Sequence, residues 1–534
     1  MTSDHRPPAS GHASRFRGQG WAATIAVTVL AGVLRVWQLG RPNDLLFDET
    51  YYAKHAWSMW LFGWVREFPE EADGLITGGQ TRGIFESGPT LIVHPELGKW
   101  LIALGEGAFG MDSFGWRISS ALVGTLMVLV VVRLARRLTG STLLGVVAGL
   151  LLALDGMALV LSRLALLDIF VAFFLVAALL CLVRDREQRR TRMAALASRR
   201  SGGGGTSVTW GPVRGLLLRP WLLAAGAMFG ASLACKWSNI FALAAFGLLT
   251  WIWDVTARHR AGVRTAWAKS LLVDAGPAAL QLVGVAAIVY VLSWTGWLIH
   301  AAEYEQAFRD TQYGPDWGTY LDTDATGFFP ELVQSLRSLW NFHQDVYTFH
   351  RDFLDDAEHS YQSSPWGWLV LERPVGIDAQ LDIQPGVQGC AAPEGSDCLR
   401  QVLLLGTPAV WWAGCAAAVS SVWFALVRRD WRDGIVVVGV LATWLPWLPY
   451  ADRPVFSFYA INTLPFLVLA LALALGRILG PAGAGARRRM VGAGIVTAYV
   501  VLVVVNAGWL WPIWTDQLIT HDEWLLRIWF DSWI

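Results

Sequence analysis

Charged side chains are scarce in this chain of 534 residues: Asp, Glu, Lys and Arg make up 16% of it, against about 25% in soluble domains. The 42 basic and 42 acidic residues cancel, so the composition excludes a strongly basic nucleic-acid-binding protein and an acidic tail protein. The few cysteines and histidines show no zinc-ligand spacing, and the sequence has neither GxxxxGK[ST] nor a GxGxxG that follows a strand. The absences leave no sign of a zinc site or a nucleotide-binding domain.

Hydrophobic residues, in contrast, make up 54% of the chain, and 31 residues are tryptophan. Tryptophan is common at membrane interfaces and in sugar-binding sites. Apolar runs long enough to cross about 30 Å of hydrocarbon as helices recur along the sequence. We therefore predict an all-α polytopic membrane protein with about 11 transmembrane helices, near residues 21–39, 118–132, 142–161, 164–183, 217–235, 237–253, 275–297, 408–427, 434–450, 455–476 and 491–513.

The segments that connect these spans alternate between two chemical types. One set starts at the N-terminus, includes the linker 184–216, and holds about 26 basic residues against about six acidic ones. The positive-inside rule places this set in the cytoplasm. We therefore expect a cytoplasmic N-terminus, an extracytoplasmic C-terminus and a location in the cell membrane. The glycine-rich stretch 201–206 within the linker is interpreted as a flexible tether.

The predicted organisation is a tail of residues 1–20, a transmembrane domain of residues 21–513 and an extracytoplasmic tail of residues 514–534. Two long loops, 41–116 and 298–407, lie on the outer face. Loops longer than about 15 residues without their own structure are usually functional. We expect both loops to fold onto the membrane surface and to build a site there.

Cysteine placement agrees with an oxidising outer face. Cys390 and Cys398 both lie in the second outer loop, whereas the remaining cysteines fall within predicted spans. Disulfides form in such compartments. A structural Cys390–Cys398 disulfide is the resulting hypothesis.

Two adjacent carboxylates, Asp48 and Glu49, follow the first span and precede a helix-compatible run. Neighbouring helix positions point about 100° apart, so the two side chains need not share a role. One interpretation is structural, with Asp48 as a helix N-cap and Glu49 stabilised by the helix dipole. The other is catalytic, with a carboxylate at the mouth of the helix bundle acting as a general base on an incoming hydroxyl.

Several cations on the predicted outer side run against the positive-inside trend. Charges in or beside hydrocarbon are rare and usually face a bundle interior or a polar cavity. These cations could extend to lipid headgroups, form ion pairs with Asp48, Glu49 or Asp168, or hold a phosphate. An anionic lipid-linked substrate is an economical explanation of the set, which comprises Lys54, Lys99, Arg117, Arg163 and Lys236, with His94 close to Lys99 in sequence.

In the second outer loop, a polar run that begins at His359 is followed by Trp366 and Trp368. A single histidine is more often a satisfied surface residue than a ligand. The two indoles suit either an interfacial belt or a platform for a carbohydrate.

Taken in order, these segments resemble the protein O-mannosyltransferase family, specifically its actinobacterial-type members. The predicted eleven-span topology with a cytoplasmic N-terminus agrees with that family. Glu96 is a departure, because the family often has a second proline after His-Pro. The matching segments are Phe47-Asp48-Glu49 with Lys54, His94-Pro95 with Gly98-Lys99, Arg117, Ser162-Arg163 with Leu166-Leu167-Asp168, Cys235-Lys236-Trp237, and His359 with Tyr361, Ser363, Pro365 and Trp368.

The resemblance implies the membrane glycosyltransferase fold called GT-C, which makes residues 21–513 a catalytic domain. It also implies an inverting transfer of mannose from polyprenyl-phosphate-mannose to Ser and Thr hydroxyls of secreted proteins at the outer face. Asp48 is then the candidate base, while Glu49 positions the sugar or peptide or orients the basic groups. The candidate phosphate ligands are Lys54, Arg117 and Lys236, supported by His94, Lys99, Arg163 and His359.

The same resemblance implies partners. These are the lipid-linked donor, secreted polypeptides met at the Sec translocon, and membrane lipids, with no nucleic acid. Asp48 and Glu49 could hold a divalent cation, but the nearby cations can neutralise a phosphate without one. We therefore predict no metal and no cofactor.

Two alternatives remain open at this point. The fold does not decide the acceptor, so a lipid or a cell-wall polysaccharide could replace the protein. A transporter of a lipid-linked sugar is a different class. Transporters often show inverted repeats with sites at the bilayer midplane, whereas here no repeat is evident and the charges cluster at one face.

Overall fold

The computed structural model describes residues 10–201, 217–308, 326–350, 358–451, 453–481 and 483–534. Residues 1–9 of the predicted N-terminal tail and residues 202–206 of the glycine-rich stretch lie outside these ranges. The first part of the chain is helical, with α1 (Ser10–Val36), α2 (Glu49–Phe62), α3 (Ala72–Thr77), α4 (Leu97–Phe109), α5 (Ser113–Thr139), α6 (Thr142–Ala153), α7 (Gly156–Leu161), α8 (Asp168–Ser201), α9 (Pro220–Leu233) and α10 (Ile240–Arg260).

The second part adds more helices and a small sheet. Its helices are α11 (Ala266–Ser270), α12 (Gly276–Ala279), α13 (Val285–Ser293), α14 (Thr295–Ile299), α15 (Ala301–Phe308), α16 (Phe328–Thr348), α17 (Pro408–Leu426), α18 (Trp431–Trp444), α19 (Leu464–Leu479), α20 (Ala486–Trp514) and α21 (His521–Leu525). The strands are β1 (Val375–Ile383), β2 (Cys398–Leu404) and β3 (Ile519–Thr520).

Within the described ranges, six helical segments are long and apolar enough to cross a membrane. They are Ser113–Thr139, Trp237–Arg260, Ala266–Ser293, Pro408–Leu426, Trp431–Tyr450 and Ala486–Trp514, and the shorter apolar helices are Gly20–Val36, Thr142–Ala153, Pro220–Leu233 and Leu464–Leu479. Each of these segments overlaps a predicted span, and the remaining predicted span, 164–183, overlaps α8. The chain is therefore a multi-pass helical membrane protein, while the number of crossings stays a prediction.

Local sequence signals explain where α5 begins and ends. The Asp112 side chain accepts a hydrogen bond from the backbone N–H of Gly115 at 2.7 Å, which caps the N-terminus of the helix. At the other end, Gly140 takes a left-handed conformation with φ of 71°, which glycine adopts without a steric penalty. Arg136 and Arg137 lie in the last turn, where cations are favoured by the helix dipole.

The core lies around α19 and the α7–α8 connection. Residues Leu464–Leu473 of α19 are all buried, as expected for a helix that is hydrophobic on every side and packed in the centre of a bundle. Helix α19 packs against α17, α18 and α6. This central packing fixes the helix ends from which the outer turns project.

The first outer loop folds into α2, α3 and α4, and α4 packs against both α2 and α5. The approach of α4 to α5 is close: a Cβ placed on Gly105 would lie 2.5 Å from the carbonyl oxygen of Gly115. Only a residue without a side chain fits there. The contact brings the start of α5, with Arg117, beside the start of α2.

The second outer loop and the C-terminal segment form one antiparallel sheet in the order β1-β2-β3. Cys398 opposes Thr520 in the β2–β3 ladder, and Cys390 and Cys398 form a disulfide. This sheet lay outside the all-α prediction. The segment predicted as an extracytoplasmic tail is thus integrated with the second outer loop through β3.

The opposite end of the bundle is tied together by buried ion pairs. Arg189 contacts Asp254 at 2.5 Å and Asp274 at 2.6 Å, and Arg219 pairs with both Asp185 and Asp254. The first part of the predicted cytoplasmic linker 184–216 is helical, because α8 continues to Ser201. Within this helical part, Arg189 pairs with α10 and with the segment that follows α11, and Asp185 pairs with Arg219 just before α9.

Candidate active site

Asp48 lies at the N-cap position of α2, but its side chain caps no backbone N–H. Instead, its Oδ2 accepts a hydrogen bond from the hydroxyl of Tyr52 at 3.2 Å. The two residues are four apart, a spacing that places side chains near the same face of the helix. In the described part of the chain, no group donates a hydrogen bond to Oδ1. The structural N-cap interpretation of Asp48 is therefore wrong, and the partly exposed carboxylate keeps an available oxygen.

Glu49 has the opposite environment. It is fully buried, and its Oε1 accepts hydrogen bonds from Arg117 Nε at 2.9 Å and from the backbone N–H of Ala165 at 2.7 Å. Its Oε2 accepts from an Arg117 terminal nitrogen at 2.7 Å and from the Leu46 N–H at 3.0 Å. Of the two predicted roles for Glu49, this geometry favours orienting a basic group.

The other N–H groups of Arg117 donate hydrogen bonds to backbone carbonyls. Its terminal nitrogens donate to the carbonyls of Pro42 at 2.7 Å and Asp44 at 2.8 Å, and a longer bond of 3.4 Å reaches the carbonyl of Leu39. The side chain is fully buried. Arg117 therefore neither extends to headgroups nor presents a donor to a phosphate, and the sequence-based assignment to the donor phosphate is replaced by an anchoring role.

Arg163 also donates its hydrogen bonds to backbone carbonyls. Its terminal nitrogens donate to the carbonyls of Arg35 at 3.1 Å, Trp37 at 2.6 Å and Gln38 at 3.3 Å, close to the C-terminus of α1. A cation at this end satisfies unpaired carbonyls and interacts favourably with the helix dipole. Arg163 therefore caps the C-terminus of α1, in place of the predicted role in supporting a phosphate.

Lys236 presents its ammonium beside Asp48. It pairs with Asp168, the first residue of α8, at 2.7 Å, and its Nζ lies 5.0 Å from the centre of the Tyr459 ring. Burial lowers the pKa of Lys236, but Asp168, Tyr459 and Asp48 together outweigh that effect and the net shift is upward. Lys236 therefore remains a cation at the cleft.

The electrostatics of Asp48 follow from these neighbours. Burial raises the pKa of the Asp48 carboxyl, and the negative charge of Asp168 acts in the same direction. Lys236, the Tyr52 hydrogen bond and His359 act in the opposite direction. A carboxylate with a raised pKa is a stronger base than an ordinary one, which suits proton abstraction from a hydroxyl.

His94 and His350 form the wall next to Tyr52. Their rings stack with centroids 6.0 Å apart, and the His94 ring lies 6.2 Å from that of Tyr52. Burial lowers the pKa of His94 well below its ordinary value and that of His350 to about 4. Both rings are therefore neutral near pH 7, which makes them polar wall residues and not phosphate cations.

Lys54 and Lys99 are paired away from Asp48. Lys54 contacts Asp73 at 2.5 Å, and Lys99 donates to the His94 carbonyl at 3.0 Å. Burial raises the pKa of Glu96 and lowers the pKa of Lys99, each to about 7. The Lys99 hydrogen bond thus ties the start of α4 to the loop that carries His94. Unlike Lys236, neither lysine acts electrostatically on the carboxylate of Asp48.

His359 faces the cleft from the second outer loop. Its ring packs edge to face on Phe456 at 5.0 Å and on Phe47 at 5.9 Å. Its Nδ1 accepts the backbone N–H of Tyr361 at 3.1 Å, an arrangement that leaves Nε2 free to carry a proton. The exposed imidazole and its aromatic neighbours form one wall of the opening beside Asp48.

Four site residues were missed in the sequence. Tyr52 carries a detectable signal, the four-residue spacing from Asp48, and Arg453 carries another, a cation at the outer end of a predicted span. Arg453 donates to the His350 carbonyl at 2.7 Å. His350 and Tyr459 gave no signal, because only the fold brings them to the cleft.

Two family models match the chain over most of its length. One, described as dolichyl-phosphate-mannose-protein mannosyltransferase, matches residues 25–203, and the other, the C-terminal four-transmembrane region of protein O-mannosyltransferase, matches residues 335–533. A polyprenol-phosphate-mannose–protein mannosyltransferase of Mycolicibacterium smegmatis is 38% identical over 97% of this chain and 93% of that protein.

The chain belongs to the protein O-mannosyltransferase family. A second mannosyltransferase of this kind, from Corynebacterium glutamicum, is 34% identical over 95% of this chain and 91% of that protein. Among solved structures, the Saccharomyces cerevisiae protein O-mannosyltransferase Pmt1–Pmt2 complex bound to the sugar donor has a TM-score of 0.68 at 15% identity, covering 97% of this chain and 93% of that one. The predicted family and the GT-C fold are confirmed.

Asp48 and Glu49 are the carboxylates that could hold a metal ion in this mannosyltransferase. Among the residues that the structure describes, no group of three or more His, Cys, Asp or Glu side chains could hold a metal ion. Asp48 and Glu49 do not converge, since the carboxylate of Glu49 is fully engaged by Arg117 and backbone N–H groups. That the reaction needs no metal stays a prediction.

Proposed function

We propose that this membrane enzyme transfers mannose from a polyprenyl-phosphate-linked donor to Ser and Thr hydroxyls of proteins, with Asp48 as the base. The enzyme class follows from membership of the family, whose relatives carry the name polyprenol-phosphate-mannose–protein mannosyltransferase. The observation that carries the residue-level proposal is the free oxygen of Asp48 beside the ammonium of Lys236. A base and a cation are what the transfer requires.

Asp48 acts on the acceptor. Its available oxygen takes the proton of the hydroxyl while the hydroxyl oxygen attacks the anomeric carbon of mannose. Tyr52 holds the other carboxylate oxygen at 3.2 Å, so the free oxygen is kept in one orientation. Because burial raises the pKa of the Tyr52 hydroxyl well above its ordinary value, Tyr52 remains a donor throughout.

Lys236 acts on the leaving group. As the bond between the anomeric carbon and the phosphate oxygen breaks, negative charge collects on the polyprenyl phosphate. An ammonium already held by Asp168 at 2.7 Å is in place to stabilise that charge without reorganisation. His359 completes the cleft from the side of the second outer loop.

The residues around Asp48 all lie in segments predicted on the outer face or in the first few residues of the spans that follow them. They lie after α1, at the start of α8, between α9 and α10, and in the second outer loop. This common placement supports an active site at the outer membrane surface, with a cytoplasmic N-terminus and an extracytoplasmic C-terminus. Secreted polypeptides emerging from the Sec translocon are the acceptors that such a site would meet.

A transfer assay tests donor, acceptor and reaction together. The purified full-length chain is incubated with radiolabelled polyprenyl-phosphate-mannose and a threonine-rich peptide, and labelled peptide is measured by mass spectrometry and scintillation counting. Mannosylated peptide is the expected product. Labelled lipid or polysaccharide in place of peptide would assign a different acceptor, and movement of donor between leaflets without transfer would identify a transporter.

A further inference from the structure

A second cleft lies at the other end of the bundle, far from Asp48. It is a shallow, open cleft of about 530 Å³ between the C-terminal turn of α5 and the turn between α17 and α18, and it is lined by residues 137–140 and 428–432. Arg432 closes its base, donating to the Leu138 carbonyl at 3.3 Å and to Asp430 at 2.9 Å. The cleft is therefore bounded by two turns that are tied to each other.

The charges in this cleft do not balance. Arg432 is paired with Asp430, and Arg137 is paired with Glu187 at 2.5 Å. Arg428 and Arg429 are both exposed, and in the described part of the chain neither contacts a carboxylate. Two guanidinium groups are thus left to attract an anion.

The surface beside these arginines is apolar. The last turns of α17 expose Trp423, Leu426 and Val427, with 59%, 72% and 54% of their side-chain surfaces accessible. On a helix long and apolar enough to cross a membrane, such a face contacts acyl chains, and the basic residues that follow it lie at headgroup level. The cleft is consequently continuous with a lipid-facing surface.

This cleft cannot serve the proposed transfer reaction. Arg117 and Arg137 lie near opposite ends of α5, which spans Ser113–Thr139. At a rise of about 1.5 Å per residue, the helix separates the two sites by roughly 30 Å. A ligand bound between Arg137 and Arg429 is out of reach of Asp48.

We propose that the cleft formed by residues 137–140 and 428–432 binds the phosphate-bearing headgroup of an anionic phospholipid. Guanidinium groups match the oxygens of a phosphate and hold them by paired hydrogen bonds. The acyl chains lie along Trp423, Leu426 and Val427, a contact that a free phosphate ion cannot make. The site anchors the end of the bundle opposite the active site in the anionic leaflet of the membrane.

Lipid retention by the full-length protein tests this site. The protein is purified in a mild detergent, mixed with cardiolipin or with phosphatidylcholine, and the bound lipid is counted by native mass spectrometry. The wild type should retain cardiolipin in preference to phosphatidylcholine. The variant Arg428→Ala/Arg429→Ala should bind cardiolipin about tenfold more weakly, since it loses two cations at the headgroup surface.

A matched control separates a built site from general surface charge. Arg260 and Arg264 are also exposed arginines at a turn of the same end of the bundle, and the variant Arg260→Ala/Arg264→Ala removes the same charge. This control should retain cardiolipin, and so should Arg428→Lys/Arg429→Lys in large part. Thermal unfolding and mannose transfer should be unchanged in the alanine variant, because neither residue touches the active site.

Three results would overturn the proposal. Equal losses of cardiolipin in the Arg428/Arg429 and Arg260/Arg264 variants would show that only net charge matters. Unchanged retention in the first variant would show that the cleft is not the site. Complete displacement of cardiolipin by millimolar inorganic phosphate would show that the cleft holds a free anion and not a lipid.

Discussion

Two carboxylates that are adjacent in the sequence have opposite surroundings in the fold. Glu49 is fully buried and accepts hydrogen bonds from Arg117 and from the backbone N–H groups of Leu46 and Ala165. Asp48 is partly exposed, and its carboxylate accepts a hydrogen bond only from the Tyr52 hydroxyl among the described residues. Two consecutive residues therefore differ in function: Asp48 faces an open cleft, whereas Glu49 has a carboxylate whose two oxygens are both hydrogen-bonded.

The contrast separates groups that hold the fold from groups that are free to react. A buried polar group whose bonding capacity is used contributes to stability, and removing one partner leaves the other desolvated and unpaired. A group that performs chemistry needs an unused atom and a perturbed proton affinity. Arg117 and Arg163 belong with Glu49, because the fold uses their donors. Lys236 belongs with Asp48 through its raised pKa, and His359 belongs there because it lies exposed at the cleft.

Asp48→Asn, which changes the partly exposed carboxylate, should abolish most of the transfer activity. The amide has nearly the same shape but cannot accept the acceptor hydroxyl's proton, so kcat should fall by about 10²–10⁴-fold, the usual contribution of general base catalysis. Single-turnover transfer of labelled mannose measures the loss. Donor binding by the same variant should stay within about twofold of wild type, and substantial transfer by Asp48→Asn would remove Asp48 as the base.

Arg117→Met, which removes the partner of the buried carboxylate of Glu49, should lower stability. It leaves the Glu49 carboxylate buried without its cation, which costs about 3–5 kcal/mol in comparable buried pairs. A lower unfolding temperature in detergent and a reduced yield are expected, with an unchanged KM for donor in the protein that folds. Glu49→Gln/Arg117→Met should recover part of the stability. A raised donor KM at normal stability would instead return Arg117 to the phosphate.

Lys236 and Lys54 offer a matched pair, because both were predicted to bind phosphate and both now have acidic partners. Lys236 lies next to Asp48, whereas Lys54 is directed to Asp73. Lys236→Met should lower kcat about 10- to 100-fold, the range for a lost hydrogen bond to a charged group. Lys54→Met should lower it less than about threefold. Equal effects would show that the local pairing does not decide which lysine serves the phosphate.

The sequence predicted the spans and the clustering of the outer turns because hydropathy and charge are local properties that add along the chain. It could not rank the outer cations, since Arg117 and Arg163 look as available in sequence as Lys236. Arg117 donates its hydrogen bonds to Glu49, and Arg163 donates to carbonyls at the end of α1. These pairings depend on side-chain geometry that the sequence does not show. The β2–β3 pairing was also missed, because it joins segments more than a hundred residues apart.

The smallest expected effect concerns the orientation of the base. Tyr52→Phe removes the hydroxyl that donates to Asp48 at 3.2 Å. A neutral hydrogen bond contributes about 1 kcal/mol, so kcat should fall about fivefold at a pH where Asp48 is ionised. Tyr51→Phe is the matched control, since Tyr51 is the preceding residue of α2, with 55% of its surface exposed.

The pH profile of Tyr52→Phe distinguishes orientation from a general packing loss. The Tyr52 hydrogen bond lowers the pKa of Asp48, against the upward effect of burial, and Lys236, Asp168 and His359 are the other charged or titratable groups that act on it. Without the hydroxyl the pKa of Asp48 rises. Because only the ionised carboxylate accepts a proton, the acid limb of kcat should move to higher pH in Tyr52→Phe and stay in place in Tyr51→Phe. An unmoved limb with lower kcat would mean that Tyr52 merely packs, and that Asp48 is oriented by Lys236 and the cleft wall alone.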